Sequence, residues 1–264
     1  MEKLMEEKKT TLWQEIKICR VDETNYPHDL KKIKDRPEVL YYRGNIDILN
    51  EHKSIAVVGS RKISAVGAKL AYNAGSIIGK NGFNLVNGLA LGCDAEALKG
   101  ALAAGGKCAV VLPCGINEIY PKSNQWIAEE VLKQGGCLIS EYPEGTRPEK
   151  YRFVQRDRLQ SGMSQGVLVV EAMEKSGTMH TAEYAKKQNR RLACYYHGLL
   201  KYSTGNNVLE NLYQAAVIKT NEDLENYLCE IADIEEYTQL SFDFQMPGLQ
   251  IVTPQSAEVF VMTG

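Results

Sequence analysis

The sequence predicts an α/β fold of the extended Rossmann-like type, a doubly wound and mostly parallel sheet with helices on both faces. Three observations support this prediction. Short apolar runs, such as Ile55–Val58 and Val167–Val170, are typical of strands that are buried on both faces. Longer segments in which apolar residues recur at helical spacing separate these runs. Their alternation implies right-handed crossovers between parallel strands.

The predicted elements follow one another from residue 54 onward. The first strand, 54–58, precedes a helix near 64–80 that stops at Asn81-Gly82. The later elements are a strand at 83–86, a helix capped by Asp94 and running to about residue 104, a strand at 109–112, a helix from Ser123 to Gly135, strands at 137–139 and 167–170, a helix from Ser176 to about Asn189, and a closing strand at 192–195.

Five loops follow the predicted strands, and we expect all of them at one edge of the sheet. The carboxyl ends of parallel strands meet at the same edge, where ligands bind. The loops are 59–64, 87–94, 113–123, 140–158 and 171–178. The first contains Gly59-Ser60-Arg61, a tight turn before a helix, where backbone N–H groups and a guanidinium suit a phosphate. Its spacing differs from that of a dinucleotide fingerprint or a P-loop.

Charge is distributed unevenly along the chain. The 264 residues carry a net charge of −2. Residues 220–264 hold nine acidic residues and no Lys or Arg, whereas residues 1–219 hold 31 basic and 24 acidic residues. A basic body with an acidic tail fits a polyanionic partner, although a solvated acidic terminal helix explains the same asymmetry. We therefore expect an N-terminal lead-in packed on the core (1–52), a Rossmann-like core (53–228) and an acidic tail without a winged helix (229–264).

Composition argues against several classes of protein. No segment has the length and apolarity of a membrane span. A signal peptide would be apolar, whereas the N-terminus of this chain is highly charged. The seven cysteines are scattered without a Cys-x-x-Cys pair, and the four histidines lack ligand spacing. We therefore expect a cytoplasmic protein with reduced thiols, no metal site, no cofactor and no membrane partner.

Several of these loops carry short motifs that occur together, in the same order, in one family. They are Gly59-Ser60-Arg61, Asn87-Gly88-Leu89-Ala90-Leu91-Gly92-Cys93-Asp94, Ile119-Tyr120-Pro121-Lys122-Ser123-Asn124, Ile139-Ser140-Glu141-Tyr142, Phe153-Val154-Gln155-Arg156-Asp157-Arg158, Val170-Glu171-Ala172 and Ser176-Gly177-Thr178. This set resembles the DprA/Smf family of DNA-processing proteins, over roughly residues 16–228. The resemblance implies a homodimer that binds single-stranded DNA without cutting it. It also implies help in loading the RecA recombinase during recombination, or during natural transformation of competent cells.

The resemblance also implies which residues meet DNA. Arg61, Lys122 and Phe153 would line the DNA pocket, with Gly59 and Ser60 in the same turn and Lys150 just upstream of Phe153. Single-strand binding needs cations for the backbone and aromatic faces for the bases. The remaining candidates are two further cations, Arg156 and Arg158, and loop residues expected to contact phosphate, Gly88, Gly92, Ser176, Gly177 and Thr178.

Other interpretations of these residues stay open at this stage. Phe153 would serve equally well as a core anchor, and Arg156 or Arg158 would pair with Asp157 or Glu141. Asp157 stands where the family has an asparagine, which places a negative charge in a site meant for phosphate.

Two alternative functions also stay open. One is a nucleotide-sensing Rossmann module, in a defence or signalling system. The other is an enzyme similar to the nucleotide phosphoribohydrolases, for which Glu141 and Glu171 lie at the correct edge. We expect no catalytic residues, because no carboxylate follows Gly177-Thr178 at the spacing of those enzymes.

Overall fold

The structure is a computed structural model that describes residues 15–243, with side chains up to residue 233. Within this part of the chain, nine strands form one sheet in the order β1-β2-β6-β5-β4-β3-β7-β8-β9. The strands are β1 (Lys17–Arg20), β2 (Val39–Gly44), β3 (Ser54–Val58), β4 (Asn84–Asn87), β5 (Cys108–Val111), β6 (Cys137–Ser140), β7 (Gly166–Val169), β8 (Arg191–Tyr195) and β9 (Ala216–Ile218).

Helices connect most of these strands. They are α1 (His28–Lys31), α2 (Ile48–Glu51), α3 (Ala65–Lys80), α4 (Cys93–Ala103), α5 (Gln125–Lys133), α6 (Lys150–Gly162), α7 (Gly177–Lys187), α8 (Thr204–Tyr213) and α9 (Asn221–Asp243). Short 3-10 turns cover Lys122–Asn124 and His197–Leu199. Among the helices that the structure describes, none is long and apolar enough to cross a membrane.

The strand order creates a crevice beside β3. Strands β3 to β9 pair in parallel, whereas β1 pairs with β2, and β2 with β6, in antiparallel fashion. From β3 the chain adds β4, β5 and β6 on one side and then returns to place β7, β8 and β9 on the other. The connections therefore diverge between β3 and β7. This reversal opens a crevice at the carboxyl edge of these two strands.

Each face of the sheet is covered by its own apolar layer. Within β3, Ile55 and Val57 point into one layer, and Ala56 and Val58 into the other. The first layer includes residues of α3, α4 and α5, together with Tyr227 and other residues of α9. The second includes residues of α6, α7, α8 and the N-terminal segment. Because β3 is buried on both faces, its sequence is an unbroken apolar run.

The predicted fold class is confirmed, and four details differ. Residues 192–195 do not close the series, because β9 adds one more parallel strand beyond β8. Residues 150–158 are not part of a loop but belong to helix α6. Asp94 does not cap helix α4, because Gly92 occupies the N-cap and the Asp94 carboxylate accepts N–H groups of the preceding loop. The segment Val39–Gly44 of the lead-in is a strand of the sheet itself.

The chain divides into two compact units, Met1–Ile231 and Ala232–Gly264. Helix α9 crosses the predicted boundary at residue 228. In the first unit its residues Tyr227 and Ile231 are buried, and Tyr227 donates a hydrogen bond to the Arg191 carbonyl at 2.9 Å. In the second unit the helix continues to Asp243, and the rest of the predicted acidic tail lies outside the described residues.

Candidate nucleic-acid interface

An open pocket of about 730 Å³ occupies the crevice between β3 and β7. Its walls come from the ends of these strands, the loop before α4, helix α6, the start of α7 and the loop before α8. The lining residues are Val58, Gly59, Ser60, Arg61, Lys62, Ala90, Asp94, Phe153, Val154, Arg156, Asp157, Gln160, Met173, Ser176, Gly177, Thr178, Thr181 and Tyr202.

The turn after β3 is fixed by its backbone and exposes its side chains. The Ser60 N–H donates to the Glu171 carbonyl at 2.7 Å, and the Ser60 carbonyl accepts from the Cys93 N–H at 3.1 Å. The Ser60 hydroxyl accepts the Lys62 N–H at 3.1 Å. Arg61 and Lys62 themselves are exposed. A rigid backbone thus presents two adjacent cations at the pocket.

Two glycines allow this turn to pack closely against helix α4. Gly92 has a φ of +73°, and a Cβ there would lie 2.6 Å from the carbonyl oxygens of Ser60 and Arg61. A Cβ on Gly59 would lie 2.7 Å from the Cys93 sulfur. Both positions therefore exclude a side chain, and both support the loop that carries Arg61.

Glu171 holds two walls of the pocket together. Its side chain is completely buried, and one carboxylate oxygen accepts the Ser64 N–H at 2.7 Å. The other oxygen accepts the Tyr202 N–H at 3.0 Å. Because both oxygens are used by backbone donors, this carboxylate positions loops instead of facing the pocket.

An aromatic pair lies beneath Arg61. The Arg61 guanidinium carbon is 4.9 Å from the centre of the Phe153 ring. Tyr120 contacts the same ring in a T-shaped arrangement, with the ring centres 5.6 Å apart. Phe153 is partly exposed, and Tyr120 is 41% exposed. The structure therefore brings a cation and two aromatic rings together at the surface.

The start of helix α7 faces the same pocket. Ser176 is the N-cap residue, and its hydroxyl donates to the Met173 carbonyl at 2.6 Å. The space in which a Cβ of Gly177 would lie is open. The first N–H groups of an α-helix carry the positive end of its dipole and suit an anion. Ser176, Gly177 and Thr178 are thus placed as the sequence predicts for phosphate contact, which itself stays a prediction.

Arg156 and Asp157 form the polar floor of the pocket. The buried Arg156 guanidinium donates to the Val111 carbonyl at 2.7 Å, and its Nε lies 3.2 Å from Asp157. Burial raises the pKa of Asp157 to about 6, while the Arg156 charge opposes this rise. Burial likewise raises the pKa of Asp94, whose carboxylate accepts the Gly88 N–H at 3.0 Å.

Four other predicted DNA residues are placed away from the pocket or have partners inside the protein. Arg158 forms a bidentate pair with Glu141, at 2.9 and 2.6 Å. Gly88 packs against Arg156, because a Cβ there would lie 1.6 Å from that guanidinium. Lys122 begins the 3-10 turn before α5, and Lys150 begins α6, without lining the pocket. Their contact with DNA remains a prediction.

Sequence reasoning did not identify Lys62, Met173 and Tyr202 as site residues, although all three line the pocket. Lys62 follows Arg61 directly, so its position in the turn was an available signal. Met173 and Tyr202 lie in irregular segments without a recognisable motif, so their position in the pocket emerges only from the tertiary fold. In the described part of the chain, no group of three or more His, Cys, Asp or Glu residues is arranged for a metal ion.

Comparison with known proteins identifies the family and the fold of the chain. The family model described as DNA recombination-mediator protein A matches residues 17–228. The DNA processing protein DprA of Bacillus subtilis is 35% identical over 179 residues, which are 68% of this chain and 60% of that protein. The DNA processing protein A of Helicobacter pylori, solved for its single-stranded DNA binding mode, superposes with a TM-score of 0.73 at 29% identity. That match covers 82% of this chain and 96% of the other.

A second solved structure has a similar fold. The curated relatives are longer than the region that matches this chain. The DprA structure from Streptococcus pneumoniae gives a TM-score of 0.71 at 31% identity and covers 82% of this chain and 76% of that one. Three curated relatives are matched over 43, 60 and 57% of their own length. The chain thus spans about half the length of the curated relatives that it matches.

Proposed function

The chain belongs to the family of DNA recombination-mediator protein A, and we propose that its pocket between β3 and β7 binds single-stranded DNA. The observation that carries this proposal is the Arg61 guanidinium, held 4.9 Å from the Phe153 ring. Proteins that bind single strands combine cations for the backbone with aromatic faces for the bases. Both groups stand here side by side.

In this proposal the phosphates bind between Arg61 and the start of α7. The guanidinium makes a bidentate contact with a phosphate, and the N–H groups of Gly177 and Thr178 add the positive end of the helix dipole. Phe153 and the exposed Tyr120 offer faces to the adjacent bases. Stacking on an aromatic ring does not depend on base identity, so binding is expected to tolerate any sequence.

We propose binding without catalysis. Glu171 uses both carboxylate oxygens for backbone N–H groups, and Glu141 is paired with Arg158. These were the carboxylates on which a phosphoribohydrolase-like activity would depend. A general acid or base must reach the substrate with a proton to exchange, and neither carboxylate is placed to do so.

The family also suggests partners. We propose that the protein acts as a homodimer in the cytoplasm and passes the bound strand to the RecA recombinase, in recombination or in natural transformation. These proposals rest on family membership and not on a surface of this chain. Pull-down of RecA by the protein, with and without a single-stranded oligonucleotide, tests the partnership, and failure in both conditions would refute it.

Fluorescence anisotropy with labelled thymidine oligonucleotides of increasing length tests the binding proposal. We expect affinity to rise with length up to about 16 nucleotides, and to fall as salt is raised from about 50 to 200 mM. A mononucleotide is expected to compete poorly. Saturable binding of a mononucleotide that is insensitive to salt would instead favour a nucleotide sensor. Absence of any oligonucleotide binding would overturn the proposal.

A further inference from the structure

Two large apolar side chains, Met173 and Tyr202, are exposed in the wall of the pocket. Met173 is 45% exposed and Tyr202 is 43% exposed, and both line the pocket. They lie away from the Arg61 turn along the sequence, in the loops that precede α7 and α8. Neither residue takes part in the phosphate binding or in the stacking on Phe153 that are proposed above. Two exposed apolar side chains in the wall of a pocket that also carries cations offer a surface for an apolar group of the ligand.

The two loops are tied to each other by hydrogen bonds that are independent of any ligand. The Gly205 N–H donates to the Ala172 carbonyl at 2.8 Å. The buried Asn206 accepts the Ala172 N–H at 2.9 Å and donates to the Val170 carbonyl at 2.9 Å. With the Tyr202 N–H bound to Glu171, the backbone around both exposed side chains is fixed. The surface is therefore preorganised, which lowers the entropy lost on binding.

Two lysines lie beside these apolar residues in the sequence, with the exposed Glu174 between Met173 and Lys175. The Lys201 ammonium lies 5.4 Å from the centre of the Tyr202 ring, and Lys175 is exposed in the loop that carries Met173. A ring beside an ammonium suits a ligand that combines a π face with a negative charge. A nucleotide has this combination, because its base is flat and its phosphate is anionic.

We propose that Tyr202 and Met173 form a second stacking site, which takes a nucleobase of the bound single strand. This inference rests on the proposed function, and it places a base at the α8 side of the pocket while Phe153 takes another near Arg61. Lys201 and Lys175 neutralise the phosphate next to the stacked base. The strand thus crosses the crevice from the Arg61 turn toward the loop before α8.

The test compares two oligonucleotides of equal length and equal phosphate number, one of thymidines and one in which every sugar lacks its base. Because Tyr202 meets only the base, Tyr202→Ala is expected to weaken thymidine binding about 5- to 150-fold, the equivalent of one stacked base. Binding of the abasic oligonucleotide is expected to stay unchanged. Tyr202→Phe keeps the ring and is expected to bind both like the wild type. Tyr72→Ala, an exposed tyrosine on α3 away from the pocket, is the matched control.

The outcomes separate this inference from the proposal on which it rests. If Arg61→Ala weakens both oligonucleotides while Tyr202→Ala binds both like the wild type, the second stacking site is wrong and DNA binding stands. Equal weakening of both oligonucleotides by Tyr202→Ala would also overturn the stacking site, since the loss would come from a disturbed loop. A wild-type protein that binds neither oligonucleotide would overturn both.

Discussion

Arg61 stacks on Phe153, with its guanidinium carbon 4.9 Å from the ring centre. The two residues come from separate segments, the turn after β3 and the first half of α6. They meet because the reversal of strand order beside β3 leaves a crevice that α6 borders. The contact links the cation proposed to hold a phosphate to the ring proposed to stack a base.

Phe153→Leu is expected to weaken single-strand binding while leaving the fold intact. Leucine preserves an apolar side chain but has no π face for Arg61 or for a base. The lost stacking of one base corresponds to about 1–3 kcal/mol, or roughly 5- to 150-fold in affinity. Anisotropy measures the binding, and thermal unfolding of the same variant is the control. A large loss of stability with unchanged affinity would identify Phe153 as a core anchor instead.

Asp157 is expected to make single-strand binding depend on pH. Its pKa is raised to about 6 by burial, and it lines the pocket close to Asp94, Arg156 and His180. Above that pH its negative charge opposes phosphate, so affinity is expected to increase as the pH falls toward about 5.5. Asp157→Asn is expected to bind on the order of fivefold more tightly near pH 7.5. Wild-type and variant affinities that change in parallel with pH would contradict this role.

The same side chain is expected to affect folding stability. The pKa of Asp157 is raised from 3.8 to about 6, so the folded state holds this proton more strongly than the unfolded chain. The stability contributed by the protonated side chain is present at low pH and is lost as the pH rises through about 6. Relative to the wild type, Asp157→Asn should therefore gain about 2 kcal/mol in free energy of unfolding between about pH 4.5 and 7.5. Urea denaturation at the two pH values measures this gain, and a constant difference would contradict it.

Glu171→Gln is expected to destabilise the protein because one backbone N–H would face an amide group instead of a carboxylate oxygen. The donors are Ser64 and Tyr202, both bonded to the buried carboxylate. An unsatisfied buried donor costs about 1–3 kcal/mol. Urea denaturation measures the loss. The control is Glu174→Gln, which changes an exposed glutamate in the same loop. Equal stability of the two variants would show that Glu171 does not hold these loops.

The strands of the central sheet could be predicted because they are buried on both faces. In β3, β6 and β7 every residue is buried, so the apolar run carries the signal by itself. Strand β9 has only three residues, Ala216–Ile218, and its first is exposed, which leaves too short a pattern. Helix α6 was missed for a different reason. Its buried face includes Arg156, Asp157 and Gln160, which make hydrogen bonds and an ion pair, so the helix carries no continuous apolar stripe.

The candidate site was predictable where it is carried by motifs. Arg61, Phe153 and the Ser176-Gly177-Thr178 turn are brought to one pocket as the family motifs imply. Tyr202 is held in the wall of that pocket by hydrogen bonds of the Glu171 carboxylate and of Asn206. These bonds join segments that are distant in sequence. Such contacts depend on the tertiary fold and leave no local pattern.

The salt dependence of single-strand binding by Arg61→Ala tests the central claim most directly. Arg20→Ala, which changes an exposed arginine on strand β1, is the matched control, because four strands separate β1 from β3 in the sheet. Each phosphate contact contributes about 0.7 to the slope of log affinity against log salt. We expect Arg61→Ala to bind more weakly and with a slope shallower by about that amount, and Arg20→Ala to match the wild type. Identical affinities and slopes for all three proteins would contradict a phosphate site at Arg61.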